Sequence, residues 1–337
     1  MKRWITGIAV MALIGVRLAE ASVNIEMVTV GNPGNAADTR YATPGFGAVG
    51  YIYNIGKYEV TAGQYTTFLN AVASTDTYGL YKTMMQSDAY GCQIKRSGTS
   101  GSYTYSVASD YANRPVNDVS FWDAARFTNW LHNGQPTGSQ NANTTEDGAY
   151  TLTATGMANN TMTRNAGWLW AVTSEDEWYK AAYYDPEKPG GSGYWDYATG
   201  TDSVPGRDTS EATNPGNNAN YRLLISRPYL RSTVGEFELS DSPYGTFDQA
   251  GNVWEWNDAI VDSARGLRGG ALCNDESLLA ASYRYTVIVP THYDIFTGFR
   301  VVSSEAIVSV PEPCSLAVWA LGTVGIAGGW LRRRGTG

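Results

Sequence analysis

Residues 244–257 read YGTFDQAGNVWEWN, and the reading of this stretch decides the fold. Asp248 and Glu255 supply two carboxylates, while Gly245 and Gly251 permit backbone turns that other residues resist. Trp254 and Trp256 add two large apolar surfaces, each with a polar N–H. The side chains of Asp248 and Glu255 and the carbonyls of Gly251 and Val253 can converge on one hard cation. Ca²⁺ takes such a mixed oxygen shell from carboxylates and main-chain carbonyls. A buried turn whose carboxylates accept backbone N–H bonds would use the same spacing, since such local bonding is common in turns.

Working outward, three helix starts stand out. Thr61 with Gln64 forms a capping box, followed by Tyr65, Phe68, Leu69 and Val72 on one helical face. Ser120 caps a second helix, with Asp123 three residues on and Phe127, Trp130 and Leu131 facing inward. Ser174 caps a third, whose first turn carries Glu175, Asp176 and Glu177 to complement the helix dipole. Trp178, Ala181 and Ala182 share its inner face. Strand patterns fall at 23–30, 50–58, 267–271, 282–289 and 298–302. Residues 31–50 form a loop, 74–112 irregular surface structure, and 133–160 a hairpin or loop. Residues 185–220 form a long turn-rich run of the kind that carries function or a loop scaffold. The sum is an α+β, loop-rich single domain, since nothing divides residues 23–304 in two.

The ends differ from this body. Residues 1–21 have a basic start at Lys2 and Arg3, an apolar run and Ala19-Glu20-Ala21, the pattern of a cleaved secretory signal. The apolar run is short for a span of about 20 residues. At the other end, Pro311-Glu312-Pro313 precedes an apolar stretch from Ser315 to Leu331, closed by Arg332, Arg333 and Arg334. That stretch can just cross a bilayer, with the arginines on the cytoplasmic side. Both ends are net positive, so the body is more acidic than the whole chain's net charge of −8. Phosphate binding needs clustered Lys and Arg, so this balance excludes nucleic acid as a partner. Of the three cysteines, Cys92 and Cys273 lie in the body and Cys314 in the tail. Export allows a Cys92–Cys273 disulfide, but two free thiols fit equally well.

The tail resembles the PEP-CTERM sorting signal of Gram-negative bacteria, with its PEP motif, apolar helix and Arg cluster in order. The resemblance implies export, recognition by an exosortase and transient residence of residues 315–331 in the inner membrane. It divides the chain into a signal peptide (1–21), a central domain (22–305) and a sorting tail (306–337).

Seven stretches of the body, taken in order, resemble the sulfatase-modifying-factor superfamily, the formylglycine-generating-enzyme fold. They are GKYEVTAGQYTTFLNAV (56–72), RPVNDVSFWDAARFTNWL (114–131), TSEDEWYKAAYY (173–184), NNANY (217–221), YGTFDQAGNVWEW (244–256), RGLRGG (265–270) and GFRVV (298–302). The resemblance implies a C-type-lectin-like α+β fold with little regular secondary structure. It also implies a Ca²⁺ site at the opening stretch, held by the side chains of Asp248 and Glu255 and the carbonyls of Gly251 and Val253. A second family Ca²⁺ site would use Asn220 and the carbonyl of Tyr221. The acidic loop that completes it is missing, since residues 222–231 contain no Asp or Glu.

Catalysis is where the chain departs from the resemblance. Catalytic relatives oxidise a protein cysteine to formylglycine with Cu(I) on two cysteines, five residues apart, just after the RGG element. Here Cys273 occupies the first position, and Leu278 stands where the second thiolate would be. One soft ligand does not make a two-sulfur copper site. A non-haem iron branch needs clustered histidines, whereas His132 and His292 are the only two in the chain and lie far apart. Neither a GxSxG elbow, a Walker loop, HExxH nor CxxC occurs. The expectation is an exported, surface-sorted, non-catalytic protein stabilised by Ca²⁺, with a matrix glycan or surface protein as ligand. The competing expectation is a formylglycine-generating oxidase with metal chemistry at Cys273.

Overall fold

The computed structural model describes residues 22–210 and 216–304. The secretory-signal and sorting-tail readings, with Cys314, lie outside the described residues. Strands β1 (Met27–Val30) and β2 (Tyr53–Gly56) lead into helix α1 (Ala62–Val72). Helix α2 (Met84–Ser87), the hairpin β3 (Lys95–Ser97) and β4 (Thr104–Ser106), and helix α3 (Ser109–Ala112) follow. Next come α4 (Phe121–His132), α5 (Ala154–Ala158), β5 (Trp170–Val172) and α6 (Glu175–Tyr183). A short pair, β6 (Tyr184–Asp185) and β7 (Gly193–Tyr194), precedes the longest hairpin, β8 (Trp254–Val261) and β9 (Ala264–Arg268). The domain closes with β10 (Tyr285–Ile288), β11 (Thr297–Phe299) and β12 (Val301–Ser303).

Two four-stranded sheets organise these elements. One has the order β1-β2-β12-β5 and is antiparallel throughout. The other has the order β10-β9-β8-β11, with β11 running parallel to β8. The sequence pattern at 298–302 suggests one strand, but the structure divides it. β11 joins the second sheet and β12 the first, and Arg300 stands between them. The buried side chain of Arg300 therefore lies at the seam of the two sheets.

The three long helices start where local chemistry says they should. Thr61, Ser120 and Ser174 each close a reciprocal capping box with the residue three positions on. Helix α4 is more deeply placed than its one-sided pattern suggests, because Phe121 to Leu131 are all buried. Its Phe127 meets Phe68 of α1 at a 5.3 Å ring separation and Phe299 of β11 at 5.4 Å, both edge to face. Each such pair adds about 0.5–1.5 kcal/mol beyond the area it buries. The acidic first turn of α6 is not a solvated face either. Glu177 pairs with Arg164, and Glu175 pairs with both Arg268 and Arg284.

One segment departs from expectation, and another resolves an open alternative. Residues 74–112 contain α2, β3, β4 and α3, and they bury Met85, Cys92 and Ile94 completely. Their apolar residues are too sparse to show a period, yet these three reach the core. Residues 133–160 take the loop alternative rather than the hairpin. They make a chain of turns ending in α5, where Thr153 Oγ1 accepts a bond from Gly156 N. Among the described residues, no helix is long and apolar enough to cross a membrane.

Candidate metal cradle and adjoining cleft

The cradle is built at the turn that feeds β8. Gly251 has φ +87°, and a Cβ there would lie 2.3 Å from the Asn220 carbonyl oxygen. Only glycine permits this approach. Gly251 N donates to Gly269 O, and Asn252 N donates to Asn220 O, each at 2.8 Å. The turn is therefore clamped between the loop at 220 and the RGG turn after β9. Asp248 also has positive φ, at 61°, which aspartate tolerates better than most residues. Its Oδ2 accepts a hydrogen bond from Gly235 N at 2.6 Å. The carboxylate–backbone bond expected of a structural turn is thus present at Asp248.

Strand alternation then sorts the next residues. Trp254 and Trp256 share one face of β8, and Glu255 points to the other. Glu255 is completely buried, and its Oε2 accepts from Trp178 Nε1 at 2.7 Å and from Arg300 Nε at 2.5 Å. Its Oε1 accepts from Arg300 Nη2 at 2.6 Å. The same guanidinium donates to the carbonyls of Gly56, Lys57 and Phe247. Arg300 thus locks the inner end of the cradle.

Glu59, just before α1, is the third acid here. Burial and the charges of Asp248 and Glu255 raise its carboxyl well above the usual range, against the pull of Arg300. Asp248 is itself pushed up to about 6, chiefly by burial. Three carboxylates thus face one guanidinium, and Glu59 Oε2 has no hydrogen-bond partner. An oxygen-only donor set suits a hard divalent cation, but both Glu255 oxygens already accept from Arg300 or Trp178. Among the described residues, no three carboxylate, thiol or imidazole groups are gathered closely enough to hold a metal by themselves. A cation here would rely on the Gly251 and Val253 carbonyls as well as on Asp248 and Glu255.

The residues of the second expected site fit a metal poorly. Asn220 is buried, and its Oδ1 lacks a partner, but its Nδ2 donates to Leu230 O and Asn252 Oδ1. The Tyr221 carbonyl accepts from Arg207 Nε at 3.1 Å, and Arg207 Nη2 donates to Arg222 O at 2.8 Å. A guanidinium supplies the positive charge there, and no carboxylate comes from residues 222–231.

On the other face of β8, Trp254 helps to line a cleft of about 480 Å³ with Cys273, Leu278, Tyr283, Tyr285 and Asp294. The Tyr283 and Tyr285 rings lie 5.8 and 5.4 Å from that of Trp254. Cys273 and Leu278 border the same cleft, so the five-residue spacing does bring these two positions to one place. Cys273 reaches solvent, yet partial burial and the Asp294 carboxylate push its thiol up. Cys92 is a buried free thiol whose Sγ contacts the Asn117 carbonyl oxygen at 3.8 Å. Burial pushes it up to about 11. The two thiols are therefore unlinked.

His132 Nδ1 accepts a bond from Leu169 N, a packing role. His292 instead lines the cleft, with Nε2 3.0 Å from Asp294 Oδ2. Sequence reasoning gave no site role to His292, Glu59, Arg300 or Trp178. The last three do lie within the matching stretches GKYEVT, GFRVV and TSEDEW, where a charged group or indole among core residues is the available signal.

Several solved structures are similar to this chain. "Treponema denticola variable protein 1" is 18% identical, with a TM-score of 0.51 over 86% of this chain and 98% of that one. CarF is 18% identical, with a TM-score of 0.48 over 84% of this chain and 99% of that one. PvdO from Pseudomonas aeruginosa is 17% identical, with a TM-score of 0.41 over 83% of this chain and 91% of that one. At these identities the first likeness speaks to fold alone. No curated protein sequence matches the chain. The model of the sulfatase-modifying factor enzyme 1-like domain matches residues 28–305, nearly the whole body. The chain belongs to that family.

Proposed function

We propose that this protein is a non-catalytic member of its family, exported and held at the cell surface. In this reading it is stabilised by one Ca²⁺ and binds a glycan or surface protein through the cleft beside β8. The observation that carries the reading is the pairing of Cys273 with Leu278 at that cleft. Copper chemistry of the family type needs two soft donors, and an aliphatic side chain offers none. The raised thiol of Cys273 also works against a thiolate ligand at neutral pH. The aromatic wall of Trp254, Tyr283 and Tyr285 suits a binding surface, since such rings combine large contact area with polar edges. Purified protein supplied with Cu(I) and a cysteine-containing peptide is expected to form no formylglycine aldehyde. Copper-dependent aldehyde detected by mass spectrometry would establish the oxidase reading instead.

Calcium has its own test. Ligand at about 100 times its dissociation constant stabilises a fold by about 2.7 kcal/mol. In a domain of this size that shift is a few degrees of melting temperature. The wild type is expected to melt higher in calcium than in chelator, and Asp248→Ala is expected to abolish the difference. Coincident wild-type curves in the two buffers would remove Ca²⁺ from the account.

A further inference from the structure

Among the described residues, no Lys or Arg lines the cleft beside β8, and Asp294 is its one carboxylate. Its main-chain donors are already used by the fold. Trp254 N donates to Phe296 O, Asn274 N to Ala271 O, Tyr283 N to Ala280 O and His292 N to Val289 O. Phe296 N donates to Asp294 Oδ1. A peptide laid here would therefore gain little from main-chain pairing, the usual source of affinity for an extended chain. Contacts to a ligand must come from side chains.

Those side chains form polar groups on an aromatic wall. The Tyr283 and Tyr285 rings are half-buried and tilt 40° and 37° from the Trp254 indole. Among the described residues, neither tyrosine hydroxyl has a hydrogen-bond partner. Asn274 Oδ1 accepts from Ala271 N at 2.8 Å, which fixes the amide and leaves its Nδ2 as a donor. Asp294 Oδ1 accepts from Phe296 N and from Thr297 Oγ1, so its carboxylate is held in place. Its Oδ2 lies 3.0 Å from His292 Nε2 and keeps room for a second donor.

We propose that the cleft binds an uncharged glycan, with a sugar ring stacked on Tyr283 and Tyr285 and its hydroxyls bonded by Asn274 and Asp294. The inference deepens the binding reading above and rests on it. A sugar ring has an apolar C–H face and a polar edge, and this wall offers the matching surfaces. The cleft volume of about 480 Å³ lies in the range of small-ligand pockets. Uronate or sulfated sugars are disfavoured, because Asp294 repels an anion and no Lys or Arg offsets it.

The test titrates purified protein by calorimetry with cello-, malto- and chito-oligosaccharides and with oligogalacturonate. An uncharged oligosaccharide is expected to bind and oligogalacturonate to fail. Tyr283→Ala and Tyr285→Ala should each weaken that binding about three- to tenfold, with melting near that of wild type. Asp294→Asn keeps an acceptor for Phe296 N and should raise affinity for oligogalacturonate about three- to tenfold at low salt. Alkylating Cys273, which reaches solvent at the cleft, should block binding without any substitution. Tighter binding of oligogalacturonate than of every uncharged oligomer overturns the inference; if alkylation blocks it, the cleft reading stands. No binding by any oligosaccharide also overturns it. An uncharged oligomer that binds equally well after alkylation and in both tyrosine variants sits elsewhere, and removes the cleft reading as well.

Discussion

Arg300→Met should destabilise the domain by about 3–5 kcal/mol, the cost of leaving one partner of a buried ion pair alone. Arg300 and Glu255 are both completely buried, with contacts of 2.5 and 2.6 Å. Removing the guanidinium also strips donors from the carbonyls of Gly56, Lys57 and Phe247. Those carbonyls belong to β2, the residue after it and the loop before β8, so the seam between the sheets loses its connection. Against a total stability of about 5–15 kcal/mol, such a loss leaves a marginal fold. The measurement is urea unfolding followed by tryptophan fluorescence, in chelator. Adding Glu255→Gln to Arg300→Met should recover part of the loss, because the stranded charge goes with it; a double-mutant cycle isolates that coupling. If Arg300→Met unfolds within about 1 kcal/mol of wild type, the seam is held by something other than this pair.

The same pair shows what a sequence can and cannot disclose. Thr61, Ser120 and Ser174 were legible as helix starts because a capping box is written in four consecutive residues. The turn at Gly251 was legible because glycine, asparagine and the tryptophans crowd into one short stretch. The inner wall of the cradle was not. Arg300 lies 45 residues from Glu255, Trp178 lies 77 residues from it, and Glu59 lies 193 residues from Asn252. No period or local spacing connects residues so far apart. The residues of the stretch and the resemblance both pointed to Asp248, Gly251, Val253 and Glu255, but not to the guanidinium and indole that grip Glu255. Cys273 and Leu278 share a cleft because the short turn between them keeps them together. His292 joins that cleft from a different loop, and a lone histidine carries no signal of where its loop will fold. Likewise, the burial of Cys92 follows from tertiary packing of a segment with no periodicity of its own.

Asp118 should make the protein lose stability as pH rises from about 4 to about 7, by on the order of 3 kcal/mol. Its carboxyl is completely buried, and neither Oδ1 nor Oδ2 has a partner. Burial pushes it up to about 7; Arg231 pulls the other way, and Asp88 and Asp294 reinforce the rise. The folded state therefore keeps a proton through a range in which the unfolded chain, near the ordinary value of 3.8, has released it. A state that binds more protons is favoured at low pH, so this contribution is fully present near pH 4 and gone above the folded value. Asp118→Asn should flatten that part of the profile. It should match wild type near pH 4 and exceed it at pH 8 by on the order of 2 kcal/mol, with relaxation around Arg231 absorbing the remainder. Asparagine suits the backbone, which holds φ +59° at this position while its N–H donates to Asp294 O. The comparison is the difference between the two proteins' urea midpoints at pH 5 and pH 8, both in chelator. Taking the difference removes the contributions of Glu59 and Asp248, which are common to both. Parallel profiles for wild type and Asp118→Asn would mean that Asp118 is ionised throughout, with Arg231 as its effective counter-ion.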